Sequence, residues 1–326
     1  MQNWKKILIK TNTIKQTLEY AEAPKKHILI SGHSKSGKTT LLNIIRYNFK
    51  EKNIFYFYVS CLDCKNIDDI ALRIRQLLND KGYYHEEGKT KQISSFNEFI
   101  ELDNSMKQKI LILLDDFHKL EETQNLQKVY NSIKTLKNIY FVFTVLPSFV
   151  QQSFKFDNIK RIQMSPFTKN EAKRFIEEIM PDKFQNESKQ LNQTYLNTIK
   201  QYIPFMRGKP TQSQPCIDIE YILSYSGYHV FIIKMMICEL IIHDKFGEQP
   251  LSFYFKIYKK LQFNNFFSKI IEEMSIDIRQ IKLQMDEQNC NNSDTADFKC
   301  LRQNGLLNEN NKPFLYFNYW LSEMKK

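Results

Sequence analysis

Glycine and proline are scarce in this 326-residue chain, at eight and nine residues, too few for a collagen-like or Gly/Pro-rich tract. Six scattered cysteines exclude a disulfide-stapled scaffold and point to free thiols. Only Cys61 and Cys64 have Cys-x-x-Cys spacing. Tetrahedral zinc takes four ligands, and no second Cys or His pair stands at a matching distance. A redox pair would sit at a helix N-terminus in a thioredoxin-like context, which is missing. Buried or half-buried thiols are the simpler reading. No apolar run approaches the ~18–20 residues of a membrane span. The most apolar segment, HVFIIKMMICELII (229–242), is interrupted by Lys234 and Glu239 and reads as a buried helix. The opening MQNWKKILIKTNTIK lacks the apolar core of a signal peptide. Neither secretion nor a membrane partner is expected.

What is present is charge, aromatic bulk and alternating elements. Lys and Arg outnumber Asp and Glu by 47 to 36, a net charge of +11. The excess lies early, eleven basic against three acidic residues in 1–60, whereas 250–326 carry eleven against nine. A basic balance suits a polyanionic partner, but the C-terminal part offers no obvious footprint for DNA. The length predicts about two domains of ~100–200 residues. No internal repeat is visible.

Five apolar segments read as strands: KHILISG, NIFYFYVSC, QKILILLDDF, NIYFVFTV and IKRIQ. Segments of helical spacing alternate with them, among them NIDDIALRIRQLLN with Asn66 or Asp68 as cap, SSFNEFIEL and TQNLQKVYNSIKTL. Alternation of this kind predicts an α/β fold, a parallel five-stranded sheet covered on both faces, with binding at the C-terminal strand ends. After Pro166, Thr168 and Glu171 form a capping box opening a helical region to about Ile242. The clearest internal loop is 205–215. Residues 251–274 read as helix, 289–297 as polar loop, and 298–320 as helix, turn and strand in a small winged-helix-like piece. The expected division is 1–165 for the nucleotide domain, 166–248 for a helical lid and 249–326 for the C-terminal domain.

Residues 28–40, ILISGHSKSGKTT, place a Gly-x-x-x-x-Gly-Lys-Thr loop between an apolar strand and a helix. Gly32 and Gly37 let the backbone curl so that N–H groups, including those around Ser36 and Thr40, converge on phosphate oxygens. Lys38 brings positive charge to the β/γ oxygens and Thr39 a hydroxyl to Mg²⁺. The helix that follows points its positive end at the same place. This context predicts binding of ATP with Mg²⁺. The acidic half of such a site comes from ILILLDDF, where Asp115 would meet Mg²⁺ through water. Asp116 stands where an active enzyme often has Glu. Its carboxylate falls short by roughly 1.3–1.5 Å, and a misplacement of about 1 Å can cost on the order of 10²-fold. Asp116 is thus a weak catalytic candidate. Thr144, ending YFVFT, is sensor-like, able to reach phosphate or water, or else to bond locally. His33 reads as a surface loop residue, and His118 has no visible partner.

The P-loop, the acidic motif and SPFTKNEAKRFI resemble the AAA+ ATPases. More closely, ILISGHSKSGKTTLL, YVSCLDCKNIDDIALRIRQLLN, SSFNEFIEL and ILILLDDFHKL resemble the origin recognition complex subunit 5 family of AAA+ initiators. The resemblance is best over roughly 7–180 and poor beyond 245. It implies a nuclear, ATP-binding ring subunit that joins other origin recognition complex subunits, contacts double-stranded DNA through the complex and helps load the replicative helicase. By matching position it carries over Gly32, Gly37, Lys38, Thr39 and Asp115, with Thr144 as sensor. The chain departs from the pattern in the lid, where Gly-Asp-x-Arg is replaced by Ser226-Gly-Tyr-His-Val230, with Lys234 one turn on. An arginine for a neighbour's site is also unclear; SFKFDNIKRIQ offers Lys155, Lys160 and Arg161, and Lys lacks the guanidinium fork. The shortened Asp116 and missing arginine favour holding nucleotide over turning it over. The alternatives are an active AAA+ ATPase of the helicase-loader or clamp-loader type, and a signalling P-loop ATPase unrelated to DNA. Any DNA binding by the chain alone is expected to be weak, sequence-independent and lost with salt.

Overall fold

The computed structural model describes residues 12–52, 54–80, 103, 109–120, 131, 133–147, 149, 159–179, 219–242, 251–286, 295–308 and 310–324. They form two compact units, Asn12–Met164 and one beginning at Ser165.

The first unit runs α1 (Asn12–Glu22), β1 (His27–Ser31), α2 (Lys38–Glu51), β2 (Tyr56–Ser60), α3 (Ile67–Asp80), β3 (Ile110–Asp115), β4 (Ile139–Val145) and β5 (Ile159–Gln163). All five expected strands are present, and every ladder is parallel. Their order is β2-β3-β4-β1-β5. β3 and β4 are buried along their whole lengths, as continuous apolar runs in a doubly covered sheet must be. α3 turns Ile67, Ile70, Ala71, Ile74 and Leu78 into the core against β2, β3 and β4. Its cap is Asn66: Asn66 Oδ1 accepts from Asp69 N at 2.9 Å, and Asp69 Oδ2 accepts from Asn66 N at 3.4 Å. Cys61 and Cys64 are free, buried members of the same core. Desolvation pushes both thiols above their ordinary range, the opposite of what a reactive thiolate needs. The segments SSFNEFIEL and TQNLQKVYNSIKTL lie outside the described residues for the most part, as does the 205–215 loop.

The second unit holds α4 (Lys169–Ile179), α5 (Ile219–Ser226), α6 (Val230–Ile242), α7 (Leu251–Lys260), α8 (Phe263–Met274), α9 (Ile278–Asp286), α10 (Ala296–Gln303) and α11 (Leu315–Glu323). The Thr168 capping box forms as expected, with Glu171 Oε2 accepting from Thr168 N at 2.9 Å. The 251–274 segment is two helices, broken at Gln262, which has φ +51°. Residues 315–323 are helical where a strand was expected. Tyr316, Phe317, Trp320 and Leu321 are buried at helical spacing, and the Trp320 indole donates to Ser268 Oγ at 3.2 Å. Outside the sheet, the described β-pairing is a single antiparallel bridge, Leu307 to Pro313. α6 buries Glu239, which pairs with Lys260 of α7 at 2.8 Å. Gly227 and Gly305 cross back to back at φ +61° and +65°, where a Cβ on Gly227 would stand 2.1 Å from the Gly305 carbonyl oxygen. Among the described residues no helix is long and apolar enough to cross a membrane.

Candidate functional site: the C-terminal edge of the sheet

β1 ends at Ser31 and the chain curls before α2 begins at Lys38. The curl depends on its glycines. A Cβ on Gly32 would lie 2.5 Å from Ser36 Oγ and 2.8 Å from Met164 Cβ, so no side chain fits. Gly37 adopts φ +96°, the left-handed turn that opens the helix. Ser36 N donates to His33 O at 3.1 Å, which closes the loop. This closure buries His33 to 4% exposure, so it is not the surface residue the sequence suggests. Lys38 is buried, and its ammonium donates to the carbonyls of Gly32 (2.6 Å) and His33 (2.8 Å). Ser36 Oγ is buried with no hydrogen-bond partner among the described residues. Thr39 is exposed and Thr40 half-buried in the first turn of α2.

The register brings the other expected residues to the same edge. Ile30 of β1 pairs with Thr144, Leu114 with Phe143, and Ser60 with Asp115. Asp115 is 3% exposed. Its Oδ1 accepts from Thr144 Oγ1 at 2.6 Å and from Asp116 N at 3.1 Å. Its Oδ2 accepts from the Tyr58 hydroxyl at 3.0 Å. Thr144 Oγ1 in turn accepts from Asp116 N at 2.8 Å. The sensor-like threonine is therefore bonded to the acidic motif itself. Asp116 turns into the left-handed region, φ +54° and ψ +37°, which Asp tolerates better than most residues and which aims its N–H at that pair.

Tyr58 and Arg46 were not singled out from sequence. The available signal was alternation in YFYVS, which puts Tyr56, Tyr58 and Ser60 on one face of β2. What was missing was the register that sets β2 beside Asp115. Burial first, then the Asp115 charge, push the Tyr58 hydroxyl up, so it remains a donor. The Arg46 guanidinium lies 4.3 Å over the Tyr58 ring.

Of the cations considered for a neighbour's site, Lys160 sits over the Tyr20 ring at 4.6 Å, and Lys155 lies outside the described residues. Lys234 is exposed on α6.

The donor set fits a triphosphate with a divalent cation. Gly32 has no room for a Cβ, Ser36 offers a buried hydroxyl with no partner among the described residues, the Lys38 ammonium turns onto the loop, and the buried Asp115 carboxylate ends β3, with β4 between it and β1. Residues 21–152 match the family model described as AAA domain. The loop, the acidic strand end and the parallel strand order make this part of the chain an AAA+ P-loop fold. No curated protein matches the sequence. Solved structures with some likeness include the Aeropyrum pernix ORC1 protein in complex with DNA, at 13% identity and TM-score 0.38, covering 51% of this chain and 47% of that one. Drosophila ORC bound to DNA gives 10% and 0.37, covering 53% and 48%. A RuvB variant of Thermotoga maritima gives 14% and 0.41, covering 83% and 76%. The matches to the two ORC structures span about half of those chains.

Proposed function

We propose that this chain is an ATP-binding subunit of an origin recognition complex, in which bound nucleotide stabilises assembly with its neighbours and little is hydrolysed. The observation that carries nucleotide binding is the pairing of a glycine-dependent loop with the buried Asp115–Thr144 pair at one sheet edge. Gly32, Ser36, Gly37, Lys38 and Thr40 would hold the phosphates, and Thr39 and Asp115 the Mg²⁺. The cation supplies charge neutralisation at the phosphates. Lys38 adds its ammonium there, Thr144 keeps Asp115 oriented, and Asp116 offers only a shortened carboxylate.

The initiator assignment rests on the sequence resemblance. It brings with it the nucleus as compartment, a hetero-oligomeric ring, contact with double-stranded DNA through the complex, and the division into a lid at 166–248 and a C-terminal domain at 249–326.

The test is purification of the tagged chain from nuclear extract with ATP, comparing wild type with Lys38→Ala by quantitative mass spectrometry. Wild type is expected to bring down other initiator subunits stoichiometrically. The variant loses hydrogen bonds between charged groups worth about 1.5–3 kcal/mol each. It is expected to lose roughly tenfold or more in nucleotide affinity and to release those subunits. Recovery of the chain alone from wild-type extract would sink the proposal.

A further inference from the structure

Asp115 is held from three directions, and this limits what it can still bind. An ionised carboxylate offers about four acceptor sites. On Oδ1, two are taken by Thr144 Oγ1 and Asp116 N. On Oδ2, one is taken by the Tyr58 hydroxyl. Among the described residues that leaves a single acceptor, on Oδ2, beside the tyrosine. Thr144 and Asp116 belong to the expected motif positions; Tyr58 does not. It reaches Asp115 from the neighbouring strand, because the β2–β3 register puts Tyr58 beside Leu113 and Ser60 beside Asp115.

The phenol is itself held. Arg46 lies on α2, the helix that Lys38 opens, and its guanidinium sits 4.3 Å over the face of the Tyr58 ring. A cation over an aromatic face is attracted by the ring quadrupole. The ring cannot swing away from Asp115 without giving up that contact. Arg46, Tyr58, Asp115 and Thr144 thus form a line across α2, β2, β3 and β4, tying the helix of the phosphate loop to the acidic strand end.

The geometry points to Tyr58 as a positioning residue that fixes the Asp115 carboxylate and leaves it one outward acceptor, the right number for one water of a hydrated divalent cation. This inference rests on the nucleotide-binding reading above. With phenylalanine at 58, Oδ2 has two open acceptors and the carboxylate can rotate about its Thr144 bond. The cation then meets a mobile partner, whereas the phosphate loop is untouched.

The experiment is titration of a fluorescent ATP analogue into the full chain, in EDTA and across a range of free Mg²⁺, for wild type, Tyr58→Phe and Arg46→Met. For Tyr58→Phe, the Mg²⁺ concentration giving half of the cation-dependent gain in affinity should rise roughly three- to tenfold, the scale of one ordinary intramolecular hydrogen bond. Affinity in EDTA should stay within about twofold of wild type. Arg46→Met should shift the Mg²⁺ requirement the same way by less. A Tyr58→Phe curve that overlays wild type overturns the inference and leaves the nucleotide site standing. Equal loss in EDTA and in Mg²⁺ also overturns it, because that is what a merely structural tyrosine would give. Should Tyr58→Phe fail to fold, an unshifted Arg46→Met decides against it. Wild type that binds no analogue at any Mg²⁺ removes the nucleotide reading and this inference together.

Discussion

The two ends of the parallel sheet each bury an aspartate to 3% exposure, Asp103 at one and Asp115 at the other, with opposite consequences. Asp103 is closed by backbone. Its Oδ1 accepts from Asn138 N at 2.6 Å and Ile139 N at 2.8 Å, and its Oδ2 from Lys137 N at 2.8 Å. Beside it, His27 donates from Nε2 to Ile133 O at 2.9 Å and accepts at Nδ1 from Phe141 N at 3.1 Å. These groups staple the start of β4 and have given their hydrogen bonds to the main chain. Asp115 is held by two side-chain hydroxyls and one N–H, next to a left-handed residue. One end is finished structure. The other keeps capacity for a ligand. A buried charge marks a site only when its partners leave something unused.

The largest effect expected from this contrast is on stability, at Asp103. Asp103→Ala removes the acceptor of three backbone N–H groups, Ile139 N buried and Lys137 N and Asn138 N part-buried, and a buried group left without its partner costs about 1–3 kcal/mol. Urea unfolding should therefore show a loss of about 3 kcal/mol or more. A cost below that of Thr144→Val would break the comparison.

His27 sharpens the same end. Burial lowers it to about 4 from 6.5, against the opposing pull of the Ile133 carbonyl and the Asp103 charge. The folded chain thus stays neutral at 27 while the unfolded chain takes up a proton below 6.5. This contribution is complete above pH 6.5 and fades as pH falls towards about 4. It amounts to on the order of 3 kcal/mol at most. Unfolding free energy measured between pH 7 and 4 should fall more steeply in wild type than in His27→Asn, which keeps a donor and an acceptor but no titration.

The smallest stability effect belongs to the site. Thr144→Val preserves volume but removes the hydroxyl between Asp115 and Asp116 N. The expected cost is about 1–2 kcal/mol in thermal unfolding, with a larger proportional loss of Mg²⁺-dependent nucleotide affinity. Equal changes in the two readouts would place Thr144 with the staples at the other end.

Much of the nucleotide domain was readable in advance because its signals are local. A strand of six buried residues must be a continuous apolar run, and ILILLD is one. The phosphate loop was readable because its Gly-x-x-x-x-Gly-Lys-Thr spacing is local and Gly37 is demanded by its own backbone angle, φ +96°, whereas the crowding that requires Gly32 comes partly from distant Met164. The Thr168 box was readable because its two partners are three residues apart. The misjudged C-terminal helix shows the limit. LYFNYWLSE is rich in aromatic residues, which favour strands in isolation. Packing against α8 decided for helix, through Phe267 with Phe317 at 5.5 Å and the Trp320–Ser268 bond.

The sequence alone determined the order of elements, the five strands and the curl of the loop after β1. Each depends on residues adjacent in the chain or on a backbone angle only glycine readily adopts. Only the tertiary structure decided which hydroxyls hold Asp115, that His33 is buried, and that Asp103 and His27 close the opposite end. Those partners lie 29 and 57 positions from Asp115, 34 to 36 from Asp103, and 106 and 114 from His27. At such separations strand order and register, not spacing along the chain, set which side chains meet.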